Sequence, residues 1–270
     1  MSDSVEDVVR SYVKSRWDNI KEPTRYLYKR SADRLISEYG SVPAARLSPQ
    51  HVLDMQLPQG VKSQVMCLAS ASINWARRVG RIDQSASWEK CGVPNAGEWE
   101  AWTREDIDKA KASSPFGVMR DVVLFAAYTG MRKSDILAIT PANFYTREGI
   151  PYLSYTQSKT GANISMPLAA AIRDLRIVHD ALAGHPPLRN KVTVHSFYRV
   201  YQRYCKMIGV KKPFHGLRKH CATVLAEAGC SMPEIMSITG HESTTTAMKY
   251  IRSANKKTLA VNAMARIDTL

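Results

Sequence analysis

The stretch from residue 83 to residue 101 constrains the fold of this 270-residue chain more than any other. Its sequence, DQSASWEKCGVPNAGEWEA, is rich in Ser, Gly, Pro and Trp and has no helical period of apolar residues. Helical patterns precede and follow it, so it is typical of an interdomain linker. The sequence therefore predicts a first domain at 1–82, a linker at 83–101 and a second domain at 102–270.

Four amphipathic patterns fill the first domain. They predict helices at 4–13, 23–39, 49–55 and 62–79. Ser4 is the predicted N-cap of the first, and Ser48 followed by Pro49 opens the third. Because the connections are short, we expect a small four-helix bundle.

The second domain is predicted to be α-rich with one small β element. Residues 150–155 alternate and are rich in Tyr and Ile, and 163–166 match them across the sequence QSKTG, which predicts a β-hairpin. Helices are predicted from Thr103 onward and at 118–129, 133–139, 167–183, 193–208, 215–228, 231–240 and 243–250, with a last apolar-faced helix within 253–270. The expected fold class is mainly α.

The charge of the chain suggests a polyanionic partner. The formal net charge is +14 and the isoelectric point is near 9.6, and most of the excess lies beyond residue 95. Lys and Arg gain affinity for nucleic acids by releasing counterions from phosphates. A solvated basic surface is the alternative explanation.

Cysteine usage and hydropathy indicate an intracellular setting. The five cysteines are odd in number and include no C-x-x-C, which favours reduced core thiols over a disulfide framework. No apolar run approaches the roughly 20 residues needed to span a bilayer, and the acidic N-terminus lacks a signal-peptide core. We expect a cytoplasmic protein with no membrane partner.

Several residues of the second domain suit chemistry on a phosphodiester. Arginine donates two hydrogen bonds at once to phosphate oxygens. Arg132 follows Gly130 between two helices, and His215 and Arg218 share one helix face through their spacing of three. Each arginine taken alone is better explained by an ordinary ion pair, and Asp135, three residues after Arg132, could be the partner in such a pair. Asp135 is predicted to clamp the guanidinium of Arg132.

The remaining candidates are a lysine, a histidine and a tyrosine. Lys159 lies at the hairpin tip, where it can act as a general acid or be a simple solvated lysine. His241 begins the stretch HESTTTAMKY, which ends at Tyr250. A phenol has a pKa of about 10, so it needs a base or a positive field to attack. The histidines match no metal-ligand spacing and there is no phosphate-binding Gly-rich loop, so no metal and no cofactor is expected.

These residues resemble the catalytic pattern of one family. The stretches TGMRKSDI, QSKTG, HGLRKHCATVLAEAG and ITGHESTTTAMKY, over about 103–250, are similar to the tyrosine recombinases, or phage integrases, and most similar to those of bacterial prophages. The first domain resembles the core-type DNA-binding domain of that family. Many phage integrases carry a further N-terminal domain, so either the protein acts on simple sites or a part of it is missing.

The resemblance implies a mechanism without metal or ATP. Tyr250 would attack the scissile phosphate to give a 3′-phosphotyrosine, assisted by Arg132, Lys159, His215, Arg218 and His241. Two domains would close around double-stranded DNA, and a homotetramer would exchange strands between paired sites through a Holliday junction. Accessory DNA-bending or directionality proteins are possible partners.

The resemblance also implies which basic residues contact DNA. The helix at 193–208 would enter the major groove, and basic faces of the first domain would grip the opposite side. The candidates are Arg25, Lys29, Arg30, Lys62, His195, Arg199, Arg203 and Lys206.

Two other functions remain open from the sequence alone. A type IB topoisomerase-like enzyme shares the chemistry but relaxes DNA without exchanging partners. A DNA-binding module with a decayed site would bind without cleaving. The tail beyond Tyr250 argues against the first, because in recombinases that helix docks on a neighbouring protomer, and 253–270 are predicted to do the same. The complete set of six residues argues against the second.

Overall fold

The computed structural model describes residues 3–83, 88, 100–114, 117–188, 192–251, 260–261 and 264–265. The chain divides into two units, Met1–Glu98 and Trp99–Leu270. The predicted linker at 83–101 lies almost entirely outside the described residues and stays a prediction. Trp88, inside that stretch, is described, and it packs into the core of the first unit.

The first unit contains the four predicted helices. They are α1 (Val5–Arg16), α2 (Glu22–Tyr39), α3 (Pro49–Asp54) and α4 (Gln59–Arg78). Ser4 caps α1, because its hydroxyl accepts from the backbone N–H of Asp7 while the Asp7 carboxylate bonds back. Val5, Val8 and Val9 of α1 are fully buried, and α1 and α2 both pack on α4.

The second unit is mainly helical around one small sheet. Its helices are α5 (Arg104–Ala112), α6 (Met119–Thr129), α7 (Lys133–Ala138), α8 (Ala170–Arg173), α9 (Arg176–Leu182), α10 (Phe197–Met207), α11 (His215–Glu227), α12 (Met232–Thr239) and α13 (Thr244–Ile251). The stretch 122–127 of α6 is buried on every side. Helix α6 packs against α5, α10 and α11, so it forms the centre of this core.

The sheet has three antiparallel strands in the order β1-β2-β3. They are β1 (Phe144–Arg147), β2 (Ile150–Thr156) and β3 (Asn163–Pro167). The predicted hairpin is β2–β3, with Leu153 opposite Met166. Strand β1, which pairs Phe144 with Leu153, was not predicted.

Two further details differ from the sequence prediction. The helix expected at 167–183 is two short helices, because the chain turns between α8 and α9 and Asp121 of α6 accepts from the backbone N–H of Arg176 at 2.9 Å. The helix expected to begin at Thr193 begins at Phe197, with Thr193 and Ser196 bonding to each other ahead of it. Within the described part of the chain, no helix has the length and hydropathy to cross a membrane.

Candidate active site

Two left-handed glycines bring the candidate residues of the second unit together. Gly130 ends α6 with φ 63° and Gly240 ends α12 with φ 65°. This left-handed conformation turns the chain immediately after each helix, and a residue with a Cβ adopts it only with strain. Arg132 therefore leaves the end of α6, and His241 leaves the end of α12, beside the first turn of α11.

Arg218 is held from two sides. Its guanidinium donates to the carbonyl of Gly130 at 2.9 Å, and its other terminal nitrogen lies 2.9 Å from Nε2 of His241. The side chain is only 2% exposed. A buried guanidinium with fixed geometry is suited to an anionic oxygen, because low dielectric strengthens the interaction.

The tautomer of His241 follows from its partners. The Thr239 hydroxyl donates to the carbonyl of Ile235 at 2.7 Å, so its oxygen accepts from Nδ1–H of His241 at 2.8 Å. Neutral His241 then presents a lone pair on Nε2, which accepts from Arg218. Thr239 thus orients the imidazole, a role the sequence analysis missed because the contact depends on the α12 turn.

Both candidate histidines are held in the neutral form. Burial lowers the pKa of His241 to about 3, with Arg218, Arg132 and His215 adding to the effect. Burial also lowers the pKa of His215, and the charges of Arg218, Arg132 and Lys159 act in the same direction. The positive charge of the site is therefore carried by Arg132, Arg218 and Lys159.

The β2–β3 hairpin places the lysine. Lys159 is exposed in the turn between the strands, and its charge acts on His215. The loop is fixed by Asp135, whose carboxylate accepts from the backbone N–H of Ser158 at 3.0 Å and from its hydroxyl at 2.6 Å.

Asp135 therefore supports a different neighbour from the one expected. The sequence analysis assigned it to the guanidinium of Arg132, whereas that guanidinium donates to the side-chain oxygen of Gln157. Across the described ranges, the carboxylate of Asp135 makes no hydrogen bond or ion pair with the guanidinium of Arg132, although the Asp135 backbone N–H donates to the Arg132 carbonyl at 3.0 Å. One turn of α7 separates the two side chains, and the hairpin loop lies closer to the carboxylate.

Tyr250 belongs to α13, which begins three residues after His241 and packs against α11 and α12. The backbone of Tyr250 is helical, and its side chain lies outside the described part of the structure. The contact of α13 with α11 brings the helix of the predicted nucleophile to the helix that begins with His215 and contains Arg218.

Helix α10 has one buried aromatic face and one exposed basic face. Phe197, Tyr201 and Tyr204 are buried, while Arg199, Arg203 and Lys206 are exposed. His195 is exposed in the turn before the helix rather than within it. Lys133, next to Arg132, holds its ammonium 4.4 Å above the Tyr198 ring and so connects the residue after Arg132 to α10. The sequence analysis did not select Lys133, because nothing in the sequence distinguishes it from the other lysines.

In the first unit, aromatic side chains hold two of the predicted DNA-contact arginines. The Arg25 guanidinium lies 5.4 Å above the Trp17 ring, and that of Arg30 lies 5.5 Å above the Tyr26 ring. Lys29 lines a surface hollow of about 560 Å³ beside Asp33.

Lys62, another predicted DNA contact, has a structural partner. It donates to the Leu53 carbonyl at 2.6 Å, which ties α4 to the end of α3.

Among the described residues, His, Cys, Asp and Glu side chains form no group of three able to hold a metal ion.

The family model that matches this chain is the phage integrase family, over residues 105–257, more than half of the sequence. The chain belongs to the phage integrase family. The match covers all six candidate residues of the second unit. Membership makes the protein a site-specific tyrosine recombinase.

Solved structures of integrases have the same fold. One is a lambda integrase dimer bound to a COC′ core site, with 18% identity, 94% of this chain and 79% of that chain covered, and a TM-score of 0.74. A second is a lambda integrase tetramer bound to a Holliday junction, with 20% identity, 94% of this chain and 79% of that chain covered, and a TM-score of 0.74. A third is the Tn1549 transposon integrase in complex with circular intermediate DNA. It has 16% identity, 97% of this chain and 99% of that chain covered, and a TM-score of 0.72. Among curated protein sequences, none matches this chain.

Proposed function

We propose that this integrase cleaves one DNA strand with Tyr250 and exchanges strands between two paired sites as a homotetramer. The observation that supports this most is the buried Arg218–His241 pair beside Arg132. Two guanidiniums beside neutral imidazoles give the site a net positive charge, and the anionic phosphodiester fits that chemistry.

In the proposed cleavage step, the Tyr250 oxygen forms a bond to phosphorus as the bond from phosphorus to the 5′ oxygen breaks. The phenol proton passes to a neighbouring acceptor, for which neutral His215 supplies a lone pair. Lys159 gives a proton to the departing 5′ oxygen. Arg132 and Arg218 hold the charge that grows on the nonbridging oxygens.

The second half of the reaction reverses these roles. The 5′ hydroxyl of a partner strand attacks the phosphotyrosine and Lys159 takes its proton. Tyr250 leaves as the phenol after His215 returns the proton that it accepted in the first step. The covalent intermediate keeps the energy of the phosphodiester bond, so rejoining requires no ATP. Each cycle exchanges one strand, and two cycles complete recombination through a Holliday junction.

Each unit has its own proposed DNA-contacting surface: α10 in the second unit, and Arg25 and Arg30 of α2 in the first. The exposed Arg199, Arg203 and Lys206 lie along one face of α10, a helix whose other face is fixed in the core. Guanidiniums stacked on rings, such as Arg25 and Arg30, lose less freedom when they meet a phosphate. Such contacts position a protein on DNA, while base edges supply the sequence.

The proposal is tested with nicked DNA substrates taken from the sequences that flank the gene. After cleavage the short 5′ fragment diffuses away, so a covalent protein–DNA adduct accumulates. We expect adducts and joined recombinant strands in EDTA without nucleotide. Adducts with relaxed plasmid but no recombinants indicate a topoisomerase, and binding without adducts indicates a DNA-binding module.

A further inference from the structure

The side chain of Gln157 joins three parts of the candidate site. It is 1% exposed. Its oxygen accepts from the guanidinium of Arg132 and from the hydroxyl of Thr160 at 2.9 Å, and its nitrogen donates to the carbonyl of Thr239 at 2.8 Å. One carboxamide thus connects the arginine, the hairpin loop that carries Lys159 and the turn that carries His241.

The turn after α12 is shaped around this carboxamide. A Cβ at Gly240 would lie 2.3 Å from the Gln157 nitrogen, which is far inside van der Waals contact. Gly240 also has φ 65°. The glycine therefore serves two needs, the left-handed turn and the space that lets Gln157 reach the Thr239 carbonyl.

The chemistry of the partner matters for Arg132. An amide oxygen fixes a guanidinium through a hydrogen bond without cancelling its charge, whereas a carboxylate would neutralise it. In Asp135, the nearest carboxylate along the chain, Oδ1 accepts hydrogen bonds from the backbone N–H and the hydroxyl of Ser158. Arg132 is thereby oriented while its positive charge remains available to an anion.

We propose that Gln157 is a positioning residue for strand cleavage, which orients Arg132 on the scissile phosphate and couples that orientation to the loops of Lys159 and His241. This role rests on the proposed recombinase function. Gln157 touches none of the reacting atoms and acts through Arg132.

The test uses two versions of one suicide substrate. In the second version a methyl group replaces a nonbridging oxygen of the scissile phosphate, so this group carries no charge and the stabilisation by Arg132 has little to act on. Gln157→Met keeps the length of the side chain and removes its hydrogen bonds. We expect half-site binding as in the wild type and a roughly ten- to hundred-fold slower single-turnover cleavage of the normal substrate.

On the methylphosphonate substrate the difference between Gln157→Met and the wild type should shrink to about twofold or less, as it should for Arg132→Ala. Gln50→Met, the same substitution at an exposed glutamine of α3 that donates to Asp54, is the matched control and should cleave both substrates at nearly the wild-type rate. Gln157→Glu is the second variant. Its carboxylate neutralises Arg132, so it should also lose cleavage of the normal substrate selectively.

Equal defects of Gln157→Met on both substrates, or wild-type cleavage of the normal one, would overturn the positioning role. If Gln157→Met has lost its thermal unfolding transition, Gln157→Glu decides in the same way. Failure of the wild-type protein to form an adduct with either substrate would overturn the proposed function instead, so the two failures are distinguishable.

Discussion

At the scale of single residues, the resting site combines arginines, which keep their charge, with buried histidines that are neutral. Arg218 is nearly inaccessible to water and touches His241, whose pKa burial lowers to about 3. A neutral imidazole avoids repulsion with the guanidinium and can still share hydrogen bonds. The consequence is a pH dependence of folding stability.

The unfolded chain protonates His241 near the ordinary pKa of about 6.5, whereas the folded chain keeps it neutral to about pH 3. Between those values the unfolded state binds more protons, so acidification lowers the free energy of unfolding. His241→Gln, which stays neutral, should reduce that loss between pH 7 and pH 5 by at most about 2 kcal/mol. Urea unfolding at both pH values measures it.

The control for this experiment is His195→Gln, because His195 is exposed ahead of α10. This variant should keep the pH dependence of the wild type. If His241→Gln also keeps the wild-type pH dependence of the free energy of unfolding, the claim that His241 is neutral in the folded protein is wrong.

At the scale of secondary-structure elements, the β2–β3 hairpin positions the proposed general acid. The sheet is anchored by buried residues on one face, among them Leu153 and Ile164, and Asp135 fixes the loop through Ser158. Lys159 itself is exposed. An exposed lysine on an anchored loop can reach a bound phosphate without a large change in the fold.

We predict that Lys159→Ala cleaves a normal substrate at least about 100-fold more slowly, a typical contribution of general acid catalysis. A substrate with sulfur at the 5′ bridging position should restore most of the rate, because a thiolate leaves without protonation. Arg132→Ala and Arg218→Ala should not be restored, since they act on nonbridging oxygens. An equal defect of Lys159→Ala on both substrates would remove Lys159 from the acid role.

Helix α10 gives a second prediction at this scale. If Arg199 and Lys206 contact phosphates, each Ala substitution should reduce the slope of log binding constant against log salt concentration by about 0.9. Lys109, ion-paired with Glu105 on α5, provides the matched control, and its Ala variant should keep the wild-type slope. A fluorescence titration at several salt concentrations measures these slopes. Unchanged slopes in the α10 variants would exclude the proposed groove helix.

The sequence predicted those elements whose signals are local. Ser4 and Thr103 predict the starts of two helices, and the alternating pattern around QSKTG predicts the hairpin. Strand β1 was missed because its four residues carry little pattern, although Glu148 and Gly149, both with positive φ, form its turn. The positions of the catalytic candidates could be predicted from their motifs, whereas the contacts of Gln157, Thr239 and Asp135 arise from residues far apart in sequence.

At the scale of the whole molecule, the proposed reaction requires four protomers. Residues 253–270 were predicted to form an apolar-faced helix that docks on a neighbour, and most of them lie outside the described residues. Of those described, Val261 and Met264 are helical and 59% and 57% exposed. Apolar side chains this exposed are consistent with a surface that another protomer covers.

We predict that a chain truncated after Asn255 folds and binds a half-site with the affinity of the full chain. It should fail to assemble the four-protomer complex and lose strand exchange, because the proposed contact between protomers is missing. A gel-shift titration with paired sites, supported by light scattering, measures assembly. Assembly equal to that of the full chain would contradict the docking role of the tail.

The central claim is that Tyr250 is the nucleophile, and adduct formation by Tyr250→Phe tests it most directly. This variant should bind half-site DNA as the wild type does and form no covalent adduct with a suicide substrate. Tyr198→Phe, which alters an exposed phenol on α10, should form adducts normally. Peptide mapping of the wild-type adduct should find DNA on Tyr250. An adduct formed by Tyr250→Phe at the wild-type rate would contradict the account.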